Sequence, residues 1–325
     1  MIESTKPMRT PEQVLLLRAL LQRLHSKQGA YPLVFSDLKR AEAGYFGEKQ
    51  AHYQLQSLRS DHQQYLILHN IRLLETNTAF QMDFIVLTQY YILILEVKHI
   101  NGPVFFGEHD QFTRETEHLE IFANPLEQCL RQERLLKSFL NLHDIPIISR
   151  VVFTSNKTIL SASEQLREIV YHRIIRSEAL VSKIEHLNNI HRSEKLSIKN
   201  LYKTANILKA NHTPAWLNTL NRYSLTFEML QHGMYCETCL AYDLVRNQHK
   251  ANWTCQKCNS INRRPYVRSL SDYAMLYNTT ITNKEARDFL GITDRFYIRR
   301  ALSKIAIQKK GIKKAAKYVL PLPIT

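Results

Sequence analysis

The chain has 325 residues, 44% of them hydrophobic, and a formal net charge of +15 at pH 7. It is long enough for one full core with smaller satellite modules, and basic enough to favour a polyanionic partner. No apolar run approaches the roughly 18 residues of a membrane span, residues 1–10 lack a secretory segment, and 8 glycines without a Walker-type motif argue against a phosphate loop, so a cytoplasmic protein without membrane contact is expected.

Residues 1–40 form the first region, with an amphipathic helix from Pro11 to Leu24 carrying Val14, Leu15, Leu17, Leu20, Leu21 and Leu24 on its apolar side. That face is expected to pack on the core that follows or on a partner. Residues 41–155 read as one α/β domain. Gly44-Tyr45-Phe46-Gly47-Glu48 opens a segment with helical spacing at Ala51, Leu55 and Leu58, which sets Glu48 in a first helical turn. Strands are expected near Tyr65–Leu74, Phe80–Thr88, Tyr91–His99 and Val104–Phe106, then a helix over Pro125–Leu142 and a strand over Pro146–Thr154. Four of these five strands precede the long helix, so the sheet must be mixed. Asn124 is a natural N-cap for that helix, with Pro125 at its first position.

Asp83, Glu96 and Lys98 end two of the apolar strand runs. Strands disfavour Asp and burial of charge is costly, so the trio asks for a reason. Alternation puts Glu96 and Lys98 on one face with Ile92 and Ile94, and Gln81 on the same face as Asp83. If the strands pair with those faces aligned, two carboxylates and one ammonium meet. Two hard oxygen ligands suit Mg2+ or Mn2+, and a neighbouring lysine can orient or deprotonate water, a combination that points to phosphodiester hydrolysis. Composition and period alone leave equally open a pair of strand ends with solvated charges and a surface ion pair.

Gly47-Glu48, Gln81-Met82-Asp83, Glu96-Val97-Lys98 with Gly102, and Asn124-Pro125-Leu126-Glu127-Gln128 together resemble the nuclease-related domain known as NERD, over about residues 40 to 155. The resemblance implies a restriction-endonuclease-like α/β fold, a mixed central sheet flanked by helices. It also implies Asp83 and Glu96 as metal ligands, Lys98 as the water-activating residue and Glu48 as an auxiliary acid, with Gln81 and Gln128 lining the same site.

Residues 156–222 read as a mostly helical region, with stretches such as His186 to His191 taken as solvated helix ends. In residues 223–262, Cys236-Glu237-Thr238-Cys239 and Cys255-Gln256-Lys257-Cys258 are two knuckles fifteen residues apart, the spacing of a zinc ribbon. Four thiolates close the shell, so the Zn2+ should be structural. A disulfide framework is the weaker reading, because the chain is large and leaves Cys129 unpaired. Cys129 reads as a packed helical residue and not a nucleophile.

Residues 263–325 supply +10 of the net charge, with 14 Lys and Arg against 4 Asp and Glu. Thr282 to Ile292 and Thr293 to Leu302 read as helix, glycine turn, helix, with Asn283 capping the first and Thr293 or Asp294 the second. Arg295, Arg299 and Arg300 would face a phosphate backbone while Phe296, Ile298 and Leu302 anchor the helix. Lys309, Lys310, Lys313 and Lys314 extend a basic stripe within this basic helical module. The expectation is a metal-dependent nuclease or nuclease-derived DNA-processing protein, acting as a dimer if it cuts duplex. Alternatives are a non-catalytic nucleic-acid binder and a zinc-ribbon scaffold.

Overall fold

The apolar runs between Tyr65 and Lys98 are largely buried and pair edge to edge, and their neighbours in the chain pack on both sides of them. The computed structural model describes residues 2–58, 63–214, 219–247, 252–312 and 316–322. In chain order come β1 (Ile2–Lys6), α1 (Glu12–Arg23) and α2 (Tyr31–Leu55), then β2 (Tyr65–Glu75), β3 (Thr78–Leu87), β4 (Ile92–Lys98), β5 (Gly102–Phe106), β6 (Phe112–Glu115) and β7 (Leu119–Phe122). Helix α3 (Pro125–Leu140) leads to β8 (Ile147–Phe153), β9 (Thr158–Ala162), α4 (Arg167–Arg173), β10 (Ile174–Arg176), α5 (Leu180–Ile190), α6 (Ile198–Ala210) and α7 (Thr219–Arg222). The remainder is β11 (Leu244–Arg246), β12 (Trp253–Cys255), β13 (Ile261–Asn262), α8 (Pro265–Leu276), β14 (Thr280–Thr282), α9 (Asn283–Leu290), α10 (Arg295–Ile305), β15 (Gln308–Lys310) and β16 (Lys317–Val319). Two compact units result: Met1–Pro11 with Arg40–Ala215, and Glu12–Lys39 with Trp216–Thr325.

In the first unit a six-stranded sheet runs β1-β2-β3-β4-β8-β10. It is mixed, as expected: β1 and β2 are parallel, β2, β3 and β4 antiparallel, and β4, β8 and β10 parallel. Helices α2 and α5 cover one face, with Ala51, Leu55, Leu180 and Ile184 against Ile67, Phe84, Leu93 and Leu95. Helices α3 and α6 cover the other, with Leu136, Leu201 and Leu208 against Leu66, Ile85, Ile92 and Ile94. Strand β4 is therefore buried on both sides, and each of its Ile and Leu side chains contributes about 1.5–3 kcal/mol. Strand β5 does not join this sheet. Gly102, at φ +90°, redirects the chain into a second sheet ordered β7-β6-β5-β9, which packs Val104, Phe106 and Phe112 against Leu126 and Cys129 of α3. Residues 156–214 add strands β9 and β10 to the helices expected there.

Glu48 does not lie in a first helical turn. Helix α2 begins at Tyr31 and carries Gly44 and Gly47 in its interior. Glycines usually punctuate helices, but Gly47 answers to packing: a Cβ there would come within 2.7 Å of both His99 Cβ and Thr154 Oγ1.

Helix α1 belongs to the second unit, where it packs on α8. Its buried face is Val14, Leu16, Leu17, Ala19, Leu20 and Arg23, while Leu15 and Leu21 are only half-buried. Arg23 is fully buried; its Nε donates to Asp272 Oδ2 at 2.9 Å, its Nη1 donates to the Gln231 carbonyl at 2.9 Å, and Tyr235 donates to the same Asp272 oxygen at 3.0 Å. Strands β11, β12 and β13 form the small sheet of the cysteine region. Helices α8, α9 and α10 follow, with Gly291 in the left-handed region (φ +68°) closing α9. Thr282, not Asn283, caps α9, in a box with Glu285, and Asp294 caps α10. From Lys309 onward the described lysines, Lys309, Lys310 and Lys317, lie on strands and not on a helix. Lys309 and Lys310 lie on β15, which pairs with β16 in a sheet ordered β14-β16-β15, and Gly311 turns between them at φ +77°.

Candidate functional site

Strands β3 and β4 pair regularly from Leu87↔Ile92 to Phe84↔Leu95 and stop there. Beyond that point the alternation of β3 slips: Phe80 and Met82 sit in the same core cluster as Ile85 and Leu87, whereas Phe84 and Val86 face the opposite one. On β2 the ladder skips Asn70, which is left-handed at φ 53°. Asp83 is thereby turned so that its Oδ2 accepts the Val97 N–H at 2.7 Å, a donor that regular pairing would give to a main-chain carbonyl.

Glu96 is 3% exposed and both of its oxygens are engaged. Oε1 accepts from Lys98 Nζ at 2.7 Å and Oε2 from Gln132 Nε2 at 2.8 Å. Lys98 also donates to Gln128 Oε1 at 3.1 Å, which brings the start of α3 to the site. From α2, Glu48 Oε2 lies 2.7 Å from Nε2 of the buried His69. Asp83, Glu96, Lys98, Gln128 and Glu48 thus converge. Gln81 takes part only through its backbone: its carbonyl accepts from Gln132 at 2.8 Å, while its exposed side chain donates to Asn70. His69 and Gln132 were not foreseen. Gln132 lies one turn beyond Gln128 on α3, and that i, i+4 spacing was the available signal; a lone histidine in an apolar strand offered none.

The electrostatics follow from this crowding. Burial raises the Asp83 carboxyl well above the ordinary aspartate range, and the Glu96 and Glu48 charges raise it further against the opposing Lys98 ammonium and Val97 N–H. Burial by itself would lower the Lys98 pKa, but Glu96 and then Asp83 push it above the usual lysine value, so the ammonium is retained. Although not grouped as closely as the sulfurs of Cys236, Cys239, Cys255 and Cys258, the carboxylates of Asp83, Glu96 and Glu48 offer hard oxygen donors of a kind that could contribute to a metal site. Cys129 is buried beside this group; burial and then the Glu96 carboxylate push its thiol up to about 12, which fits an inert packed residue.

The sulfurs of Cys236, Cys239, Cys255 and Cys258 lie within 4.8 Å of one another, with Cys236 and Cys258 3.7 Å apart and Cys239 and Cys255 3.5 Å apart. Such edges fit a tetrahedron of Zn–S bonds of about 2.3 Å, so the cluster could bind zinc. The surroundings tune the thiols differently: against the Ala241 N–H, burial and the neighbouring sulfurs push Cys239 up to about 12, whereas the Ser260 hydroxyl and N–H lower Cys258. Burial opposes ionisation of Cys236, but the Ser260 hydroxyl, the Cys239 and Thr238 N–H groups and the Asn262 amide hold its pKa down at about 5. Among the described residues this is the one set of three or more ligating side chains so closely grouped.

On α10, Ile298, Ala301 and Leu302 are buried, while Phe296, expected as an anchor, is 56% exposed beneath the Arg295 guanidinium. Arg295 and Arg299 follow each other by one turn along one flank. Arg300 projects from the other flank, beside Lys304. Lys309 and Lys310 are exposed on β15; Lys313 and Lys314 lie outside the described residues. No helix among the described residues is long and apolar enough to cross a membrane.

Residues 43–154 match the model of a protein family described as the nuclease-related domain, NERD. The mixed sheet flanked by helices is consistent with a restriction-endonuclease-like fold for that family. No curated protein and no solved structure matches the chain.

Proposed function

We propose that the chain, which carries a nuclease-related domain over residues 43–154, is a metal-dependent nuclease that hydrolyses phosphodiester bonds. The observation that carries this reading is the meeting of Asp83, Glu96, Glu48 and Lys98 at the end of the β3–β4 ladder inside that domain. Asp83 and Glu96 would hold one Mg2+ or Mn2+, with the Val97 carbonyl as a neighbouring ligand and Glu48 as an auxiliary acid. Such an ion supplies charge neutralisation at the scissile phosphate and a more acidic water. The chain's own groups do the rest. Lys98, kept as an ammonium by Glu96, would orient water and offset phosphate charge more than accept a proton, with Gln128 fixing its direction. Gln132 clamps Glu96 to the backbone of β3, which preserves the carboxylate's orientation. The four cysteines would hold a structural Zn2+, and the basic groups of the second unit would grip nucleic acid, with DNA the expected form.

A second reading is favoured by the engagement of both Glu96 oxygens: the site would be a docking surface on a non-catalytic nucleic-acid binder. One assay separates the two. Labelled single-stranded, duplex and branched DNA and RNA are incubated with Mg2+ or Mn2+ and the intact protein, Asp83→Ala or Lys98→Ala. Cleavage lost in both variants with binding retained supports the nuclease. Tight binding without cleavage by the intact protein leaves the second reading standing.

A further inference from the structure

A cleft of about 680 Å3 in the second unit is lined by cations from three separate segments. Arg246 comes from β11 of the cysteine region, Arg263 and Arg264 from the residues that enter α8, and Arg300 and Lys304 from successive turns of α10. None of the described residues that line it is acidic. Among the described residues the side chains of Arg263, Arg264, Arg300 and Lys304 have no hydrogen-bond or ion-pair partner, although the Arg264 carbonyl accepts from the Val267 N–H. Asp294, which reaches Arg246 at 3.4 Å, uses its other oxygen to cap α10.

The cleft is also built. Arg246 lies over the Tyr297 ring at 4.5 Å, and the Trp253 indole N–H donates to the Tyr297 hydroxyl at 3.2 Å. Tyr266 stands edge-on to Tyr297, forming a rigid aromatic side to the cleft. Arg246 pairs across the hairpin with Trp253, two residues before Cys255, so the cysteine cluster fixes one wall of the cleft while α10 supplies the other. Five cations gathered beside the single Asp294 carboxylate repel one another, and an anion of repeating charge lying between them would relieve that repulsion.

We infer that this cleft seats consecutive phosphates of a nucleic-acid backbone, so that the cysteine hairpin and α10 act as one binding surface, with Arg300 and Lys304 as its α10 side. The inference rests on the reading that the second unit binds nucleic acid, and it does not require cleavage. A backbone contact made by guanidinium and ammonium groups is blind to base sequence and sensitive to salt.

The test is fluorescence anisotropy of the full chain, without Mg2+, with two labelled duplexes of unrelated sequence across a range of salt. The variants are Arg263→Ala/Arg264→Ala and Arg300→Ala/Lys304→Ala. A charge-matched control removes two exposed lysines of α6, Lys199→Ala/Lys203→Ala. Each cleft pair should weaken both duplexes alike, by about tenfold or more near 0.1 M salt, and flatten the salt slope by about one unit per cation removed. The control should retain affinity and slope. If the intact protein binds and the cleft pairs match it, or the control loses as much as they do, the cleft assignment is wrong while nucleic-acid binding stands. If the intact protein binds neither duplex, both fall together.

Discussion

Two glycines three residues apart in α2 should respond to alanine with opposite signs. At Gly44 a new Cβ has nothing within 4 Å, so alanine removes backbone entropy from the unfolded chain and should stabilise by about 0.5–1 kcal/mol. At Gly47 the same gain meets a clash, because the Cβ would stand 2.7 Å from His99 Cβ and 2.7 Å from Thr154 Oγ1. Neither neighbour is the far end of a flexible side chain, so helix or strand must move, at a typical overpacking cost of about 1–3 kcal/mol. The propensity gain is common to both and cancels, leaving a difference between the variants of about 1–3 kcal/mol that measures the clash alone. Urea unfolding followed by far-ultraviolet circular dichroism reads it directly. Gly47→Ala should also loosen the Glu48–His69 contact one residue away, which chemical shifts of the His69 ring would report. If Gly47→Ala stabilises as much as Gly44→Ala, α2 does not approach β4 and β8 as described.

Other outcomes are fixed by the same geometry. The Asp83 pKa is raised in the fold, so its contribution to stability is fully present below the unfolded aspartate pKa and is lost as pH rises through the elevated folded value. Without added Mg2+, the urea midpoint should fall over that window, and Asp83→Asn should remove this part of the slope. Asp272→Ala would strand the fully buried Arg23 guanidinium and should cost about 3–5 kcal/mol, whereas Arg222→Ala, which breaks a more exposed pair with Asp37, should cost at most about 1 kcal/mol in the same titration. Native mass spectrometry should find about one zinc per chain, with Cys255→Ser losing it; a metal-free intact protein with ordered β11 and β12 would refute the structural zinc.

What the sequence made legible was what is coded locally. Strands β2, β3 and β4 are long apolar runs, and Asn124-Pro125 is a cap followed by a first helical residue, so their positions could be read within a few residues. What escaped depends on distant partners. The glycines of α2 looked like punctuation because His99 and Thr154, which require Gly47, are far away in sequence. Strand β1 exists because it lies beside β2, and β5 leaves the main sheet because β9 pairs with it. Within the site, the charged trio was visible as charge where strands rarely carry it. Gln132 and His69 were not, since a neutral amide and an imidazole in apolar company look the same whether they clamp a carboxylate or fill a core. The basic end was visible as charge, but its hairpin was not, since Lys309 and Lys310 gave no alternating pattern.

The pairing of α1 with α8 sets a timetable for synthesis. Strand β1 meets β2 after some 60 residues, but α1 leaves the ribosome roughly 240 residues before the start of α8. At about 5–20 residues per second the wait is on the order of 12–50 s. Throughout it the buried face of α1 lacks the cover that α8 provides, and the Arg23 guanidinium has no Asp272. The growing chain therefore carries the face of α1 without its α8 partner while roughly 240 residues are made, and that interval is one in which a chaperone could bind it.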